Sequence, residues 1–587
     1  MDKSLAVARW DLSALYASQD DPRIDSDVAE IGRLAADFML FRGRLGEKLD
    51  DALRLYARIS ELSDCVRYLY LLSALDAGDQ GVKKRLSFVS EQIAAATSGM
   101  SFFSTELGRL DADAYERQVA ASEFLKKNRA FADEIRKNAK YLLSDKEEAL
   151  LVRLSPFGPG EWDDMLDEFE SSVSFGGRTL AETLHIQGAS RDSDERWREM
   201  KTMNDALASS NYMMVRARAL NFVAGEKNML DASRGYGDVM ESRNVSNNLD
   251  NETVDALHGA VLEYGSRQGE RYYRIMARLL GKERLLWSDR NAPSPFEAKE
   301  YIPYADCIRI VTDAYGEFSS FLAGLVRKSV DSGSIDAPSY RGKASGAFNS
   351  SAVGPGGRVT SYTLLNYMGS SRDVMTFAHE LGHGVHGRLA GEAMGVLLAD
   401  APIAYAETAS IFGEMLAFEF LLKRAASREA RLALLLSKSN DWINSVNRQI
   451  SFSLFERRFH ERRKEGKVSP AEFDAIWLSV SREMYGGIFE YGGMEHLWCY
   501  VSHFMRPFYV YAYSFGELFT QGLFASRGAL GAKFEPLYID MLKSGGSRDA
   551  VALMAPFGLD PRSPDFWRRG IEASIGKWLD EAESLLS

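Results

Sequence analysis

The chain has 587 residues, 45% hydrophobic and 26% charged. It is too long for one simple core and ordinary in composition, so two or more domains or a large helical body with subdomains are expected. A net charge of −12 with both signs interspersed argues against nucleic acid as the main partner, because phosphate binding needs concentrated Lys and Arg, but says nothing against peptides. Cys65, Cys307 and Cys499 are far apart, with no CxxC, which argues against a disulfide framework or a thiolate zinc site.

The first residues, "MDKSLAVARWDLSALYASQDD", carry charges early and lack the apolar run of a secretory signal. No window approaches the roughly 18 apolar residues of a membrane span. A soluble, cytoplasmic protein without membrane association is expected. From about Ser26 to Leu110 apolar positions recur every three or four residues, as in "ALRLYARISELSDCVRYLYLLSAL", which predicts helices. Phe124 to Leu154, Ser193 to Glu226 and Asn251 to Leu280 read the same way.

Three stretches break the pattern. "SSVSFGGRTLAETLHI", Ser171 to Ile186, holds Gly-Gly between short alternating runs and predicts a hairpin. "NAPSPF", Asn291 to Phe296, is turn-forming and separates subdomains. Gly333 to Ser370 is rich in Gly and Ser and contains the β-type run "RVTSYTLL", which predicts a small sheet with a glycine-rich loop. An exposed strand there would take an extended peptide through main-chain hydrogen bonds, with Gly346, Ala347 and Phe348 against the substrate.

That segment leads into "FAHELGHGVHG", Phe377 to Gly387, which holds three of the chain's eight histidines. His379, Glu380 and His383 form H-E-x-x-H. Four residues apart on a helix, both imidazoles face one ion, and Glu380 is placed to act on water as general base. Ser370-x-x-Asp373 predicts a capping box and Gly391 the helix end. An open zinc site needs a third protein ligand. Position 389 is Leu, so a third histidine ten residues after the first is absent. His386 lies almost two turns from His379 and suits a supporting or substrate-facing place. The remaining option is a glutamate on the next helix, "APIAYAETASIFGEMLAFEFLLKR", Ala401 to Arg424, which begins at Pro402. Carboxylates on an apolar helix need a counter-charge. Glu407 is assigned as third ligand, and Glu414, seven residues on, as acceptor for a ligand histidine.

"HELGHGVH" followed by "AETASIFGE" resembles the M3 metallopeptidases, the thimet oligopeptidase and oligoendopeptidase F group. "WDLSALY" (Trp10 to Tyr16), "IDAPSYRGKASGAF" (Ile335 to Phe348) and "HFMRPFYVYAYSFGE" (His503 to Glu517) extend the resemblance over nearly the whole chain. It implies a mostly α, prolate fold with a deep central channel, one Zn2+ per chain at its floor, and a small sheet beside the active-site helix. It also implies an N-terminal helical domain over 1–190 and a catalytic domain over 191–587.

Peptide hydrolysis develops negative charge on the carbonyl oxygen, and donors placed near it lower the barrier. By resemblance, His503 and a tyrosine of "FYVYAY" supply them; Tyr513 is the first choice and Tyr509 the second, with Tyr511 binding substrate. His185, His258 and His460 are expected at the surface or in the core. The expected activity is zinc-dependent cleavage of internal bonds in short unstructured peptides. The alternatives are a dipeptidyl carboxypeptidase or aminopeptidase using the same metal site, or a silent peptide-binding protein with structural zinc. The residues do not choose between Zn, Mn and Co.

Overall fold

The helical periodicity is realised along almost the whole chain. A computed structural model describes residues 4, 8–154, 158–209, 211–296 and 301–587. It is mostly helical, with five short strands: β1 (Leu285–Leu286), β2 (Ile335–Pro338), β3 (Phe348–Gly354), β4 (Arg358–Tyr367) and β5 (Phe489–Glu490). No described helix is long and apolar enough to cross a membrane. The chain forms two compact units, each assembled from three segments: Met1–Leu142, Lys299–Arg424 and Arg527–Phe557 in one, and Leu143–Ala298, Ala425–Ser526 and Gly558–Ser587 in the other. Both units draw on residues from each side of position 190. The turn-forming 291–296 stretch lies at the end of the second unit's first segment.

In the first unit, amphipathic helices such as Pro22–Phe38 and Leu45–Leu62 bury one face. Ile31, Phe38, Leu49, Leu53, Phe103 and Leu107 share a core, with the Phe38 and Phe103 rings 5.5 Å apart. Helix starts follow sequence cues: Asp21 caps Pro22–Phe38, accepting from Arg23 N, with proline in the first turn. The N-terminal "WDLSALY" run is tied to the sheet. Trp10 Nε1 donates to Ser334 O at 3.0 Å and to Thr363 O at 2.8 Å, and Leu12, Leu15 and Tyr16 pack with Tyr362 in one cluster.

The expected small sheet has the order β2-β4-β3. β2 runs parallel to β4, and β3 pairs antiparallel with β4 from Phe348↔Leu364 to Gly354↔Arg358. The turn between β3 and β4 uses Gly356 and Gly357, both at φ +74°, a region that disfavours any Cβ. β3 is an edge strand, so one side of its backbone has no strand partner in the sheet.

The helix carrying the H-E-x-x-H motif, Ser371–Met394, is held between this sheet and the helix Thr408–Lys423 by glycines. A Cβ at Gly387 would lie 2.3 Å from Ser351 Cβ, and one at Gly391 would lie 2.9 Å from Val359 Cγ2. On the other side, a Cβ at Gly382 would lie 2.4 Å from Ala409 O. Facing it, Gly413 leaves room for Tyr315 Oη, which donates to Ala378 O at 3.0 Å. Gly391 is therefore a packing residue and not the expected helix end. The helix continues to Met394 and stops at Gly395, φ +80°.

Two other expectations change. The Ser171–Ile186 stretch makes only a single bridge, Phe175↔Arg178, around Gly176 and Gly177. Its second half is the helix Leu180–Ala189, opened by a Thr179–Glu182 capping box, because T-x-x-E outweighs the short alternation. The helix expected from Pro402 is interrupted: Ile403–Ala406 ends at Glu407, and Thr408–Lys423 begins after it.

The second unit is built on long helices, including Tyr212–Arg234, Asn447–Lys464 and Tyr511–Ala525. Phe455, Phe459, Phe473, Trp498 and Phe504 pack ring against ring. His258 is buried with Nδ1 2.8 Å from Val254 O and Nε2 2.9 Å from Ser453 Oγ. His460 is buried and His185 exposed.

Because Gly382 faces backbone that cannot move aside, Gly382→Ala is expected to lower stability by about 1–3 kcal/mol and to widen the gap between the two helices. Chemical denaturation together with metal titration checks both effects; a variant with unchanged stability and unchanged metal affinity would contradict this packing argument.

Candidate metal centre and its donors

The motif helix is well specified at its start. Ser370 Oγ accepts from Asp373 N at 3.1 Å, and Asp373 Oδ2 accepts from Ser370 N at 2.9 Å. Two turns on, His379 and His383 share a face, with ring centroids 5.1 Å apart. Glu407, at the break between two helices, sends one oxygen to both rings: Oε2 is 3.2 Å from His379 Nε2 and 3.3 Å from His383 Nε2. Ser410 Oγ donates to the same oxygen at 2.8 Å. Glu414 Oε2 lies 3.3 Å from His379 Nδ1. The donor atoms of His379, His383 and Glu407 all lie within 4.8 Å of one another.

This donor set fits a divalent cation. With Glu414 accepting from Nδ1–H, the neutral tautomer of His379 turns an Nε2 lone pair toward the Glu407 carboxylate. Lone pairs meeting at such distances repel unless a positive charge lies among them. Burial disfavours a charged His379, yet the hydrogen bonds and charges of Glu407 and Glu414 raise it to about 10. Burial likewise opposes the Glu407 carboxylate, but the two imidazoles hold it well below the usual range. In both groups the attraction for positive charge overcomes the cost of desolvation. Two imidazoles and one carboxylate are a ligand set used in open zinc sites.

Glu380 is 6% exposed and reaches the same cavity, of about 650 Å³. Burial raises its carboxyl above the ordinary value, against the lowering effect of the neighbouring imidazoles. His386 also lines the cavity; burial, and then His383, push it down to about 4, so it is a neutral imidazole. Ala347 and Phe348 line the cavity, followed along β3 by Asn349, Ser350 and Ser351. Gly346 is not among the lining residues; its carbonyl accepts from Asn366 Nδ2 at 2.9 Å, and its φ of +79° serves the turn into the strand. The sequence reading missed Asn349, Ser350, Ser351, Asp400 and Ile403. The first three follow directly from strand continuation. Asp400 sits in a connection whose path no spacing rule predicts, and Ile403 opens the short helix that follows it.

The second unit holds the other expected donors. His503, Tyr509 and Tyr513 form a trio, with ring centroids 6.3, 6.1 and 5.4 Å apart. Burial, followed by the charges of Arg448 and Arg506, lowers His503, so it is neutral at pH 7. Tyr513 is 41% exposed. Tyr511 is different: it is fully buried, and its hydroxyl accepts from Asn247 Nδ2 at 2.8 Å. The substrate-binding place expected for Tyr511 is corrected to a core place. The Tyr509 and Tyr513 rings lie side by side, whereas Tyr511, the first residue of the helix Tyr511–Ala525, is turned into the core.

The segment is set by an unusual backbone. Phe508, between His503 and Tyr509, has φ +58°, uncommon for a bulky residue. Its N–H donates to Glu456 Oε1 at 2.9 Å, and Arg243 Nε donates to Pro507 O at 3.1 Å. Glu456 is fully buried, its Oε2 has no partner among the described residues, and burial raises it to about 8 against the opposing Phe508 N–H, Arg243 and Lys227. The folded state therefore holds a proton that the unfolded state releases near pH 4.5. This stabilisation is complete below that pH and is lost as pH rises through about 8. Glu456→Gln is expected to flatten the fall in stability between pH 5 and 8; denaturation midpoints across that range check it, and parallel profiles for the two proteins would contradict it.

Comparison with known proteins gives the family and the fold. The sequence profile of peptidase family M3 matches residues 240–573, and that of Oligopeptidase F matches residues 106–175. Oligopeptidase PepF of Bacillus subtilis is 24% identical over 98% of this chain and 87% of its own length. An oligoendopeptidase F homolog of Lactococcus lactis is 23% identical over 98% of this chain and 97% of its own. The crystal structure of oligoendopeptidase-F from Enterococcus faecium superposes with a TM-score of 0.72 at 18% identity, covering 97% of this chain and 99% of that one. On the family profile, which spans more than half of the sequence, the chain belongs to peptidase family M3.

Proposed function

We propose that this protein is a zinc-dependent metalloendopeptidase that cleaves internal bonds of short, unfolded oligopeptides. The observation that carries the reading is one carboxylate oxygen meeting two imidazoles of an H-E-x-x-H helix, with Glu380 in the same cavity. The names of the relatives, oligopeptidase and oligoendopeptidase, support the substrate class. His379, His383 and Glu407 hold the ion, and Glu414 fixes the His379 ring through Nδ1. When bound, the ion supplies Lewis-acid polarisation and lowers the pKa of water. Glu380 accepts the proton of the attacking water and passes it to the leaving amine nitrogen, a task suited to its raised carboxyl. The neutral His503 and the phenols of Tyr513 and Tyr509 donate to the carbonyl oxygen as charge develops on it. The edge strand β3, entered from Ala347 at Phe348, pairs with the extended peptide through main-chain hydrogen bonds and gives affinity with little side-chain selectivity.

Three buried, unpaired cysteines fit a reducing, cytoplasmic setting. The separate family matches at 106–175 and 240–573 support a division of the sequence near residue 190.

Glu380→Gln is expected to keep the bound metal and to lose hydrolysis by about 10²–10⁴-fold, whereas Glu407→Gln loses the metal itself. Metal analysis of both variants alongside peptide turnover tests this, and undiminished hydrolysis by Glu380→Gln would end the general-base assignment. A peptide blocked at both termini is expected to be cut internally, as mass spectrometry of the products will show; resistance of every doubly blocked peptide would turn the reading toward an exopeptidase.

A further inference from the structure

The cavity of the first unit carries one charged group that the metal chemistry does not use. Three pieces of chain wall it: β3, the motif helix, and the connection that leads to Glu407. Asp400 sits in that connection. Its neighbours on the wall, Ala399, Ala401, Ile403 and Ala406, carry no polar side-chain atom, and no Lys or Arg is among the described lining residues. The Asp400 carboxylate makes no hydrogen bond or ion pair among the described residues. Its side chain is open to the solvent of the cavity, yet burial by the surrounding walls raises its carboxyl above the ordinary value.

The connection is held in place from behind. Gly546 N donates to Leu398 O at 2.9 Å. A Cβ at Gly545 would run into Leu398 O, and one at Gly546 would run into Asp400 O. Two glycines thus let the turn Gly545–Ser547 press against the backbone of Asp400. Tyr405 Oη ties the following short helix to the same region, donating to Arg548 O at 3.0 Å. A carboxylate whose backbone is already fixed gives up less freedom when it meets a ligand.

The group that meets it is cationic. A carboxylate without a partner, set in a concave wall, attracts positive charge more strongly than one on an open surface, and it repels Asp and Glu. An extended peptide paired with β3 enters the same cavity and brings its side chains and its amino terminus with it. We propose that Asp400 selects peptide substrates by a positive charge, carried by a Lys or Arg side chain or by the N-terminal ammonium, at a fixed distance along the peptide from the bond that is cut. This rests on the reading of the chain as a peptidase. Asp400 adds a charge preference that main-chain pairing with β3 does not confer, and it takes no part in the proton transfers of Glu380.

The test uses metal-loaded protein and peptides blocked at both ends. One residue, Lys, Gln or Glu, is moved along an otherwise neutral sequence, and a version of the Gln peptide with a free amino terminus is added. The kcat/KM is read in wild type. Affinity is read by calorimetry in Glu380→Gln, where turnover is suppressed. At one position Lys is expected to exceed Gln by about three- to tenfold in both readings, with Glu below Gln. That contrast identifies a side chain as the source; an equal gain from the free amine identifies the terminus. In Asp400→Asn the gain is expected to fall to within about 1.5-fold, and in Asp400→Lys the order is expected to reverse, with Glu above Lys. A role of Asp400 only in holding the connection would weaken all peptides alike and reverse nothing. Equal values for Lys, Gln and Glu at every position, together with no gain from the free amine, overturn the proposal, as does a preference unchanged in both variants. Loss of the peptidase reading would show separately, as metal-bound wild type that cuts none of the peptides, while the calorimetric contrast still decides the role of Asp400.

Discussion

The first unit is organised around a contact that is unfavourable by itself. A carboxylate oxygen of Glu407 faces the Nε2 atoms of His379 and His383 at 3.2 and 3.3 Å. Such a convergence persists only if the backbone enforces it and a positive charge relieves it. The backbone does so through glycine: side chains are missing at Gly382 and Gly413, where the two helices touch, and at Gly387 and Gly391, where the motif helix meets the sheet. The close approach brings Glu414 within reach of His379 Nδ1 as well. Metal affinity and helix packing are thus one structural problem.

The second unit answers a different electrostatic demand. Its candidate donors are neutral: His503 is lowered by burial and by nearby arginines, and Tyr509 and Tyr513 are phenols. The backbone feeding this trio is set by a buried carboxyl, Glu456, that accepts the amide of a left-handed Phe508.

The relatives extend over nearly the full chain at 23–24% identity, and a solved structure shares the fold at 18%. At such distances it is the architecture that is shared. The roles proposed for Glu380 and His503 therefore rest on burial and charge in this chain.

Much of the fold was legible in the sequence. Apolar spacing located the helices, glycine and β-type runs located the sheet, and H-E-x-x-H located two donors, because these patterns express local periodicity. Glu407 and Glu414 were legible because carboxylates on an apolar helix are costly without a partner. Other features were not. Gly391 reads as a helix stop when only chain-local rules apply; its contact with Val359 is a fact of packing. Tyr511 reads like its neighbours until the turn of the helix sends it to Asn247. The left-handed Phe508 leaves no local signal, since its amide is held by Glu456 and its neighbour Pro507 by Arg243, dozens to hundreds of positions away. The sequence by itself determined which residues could serve the chemistry; tertiary structure decided which of them are desolvated together, because burial and counter-charge are properties of neighbours in space.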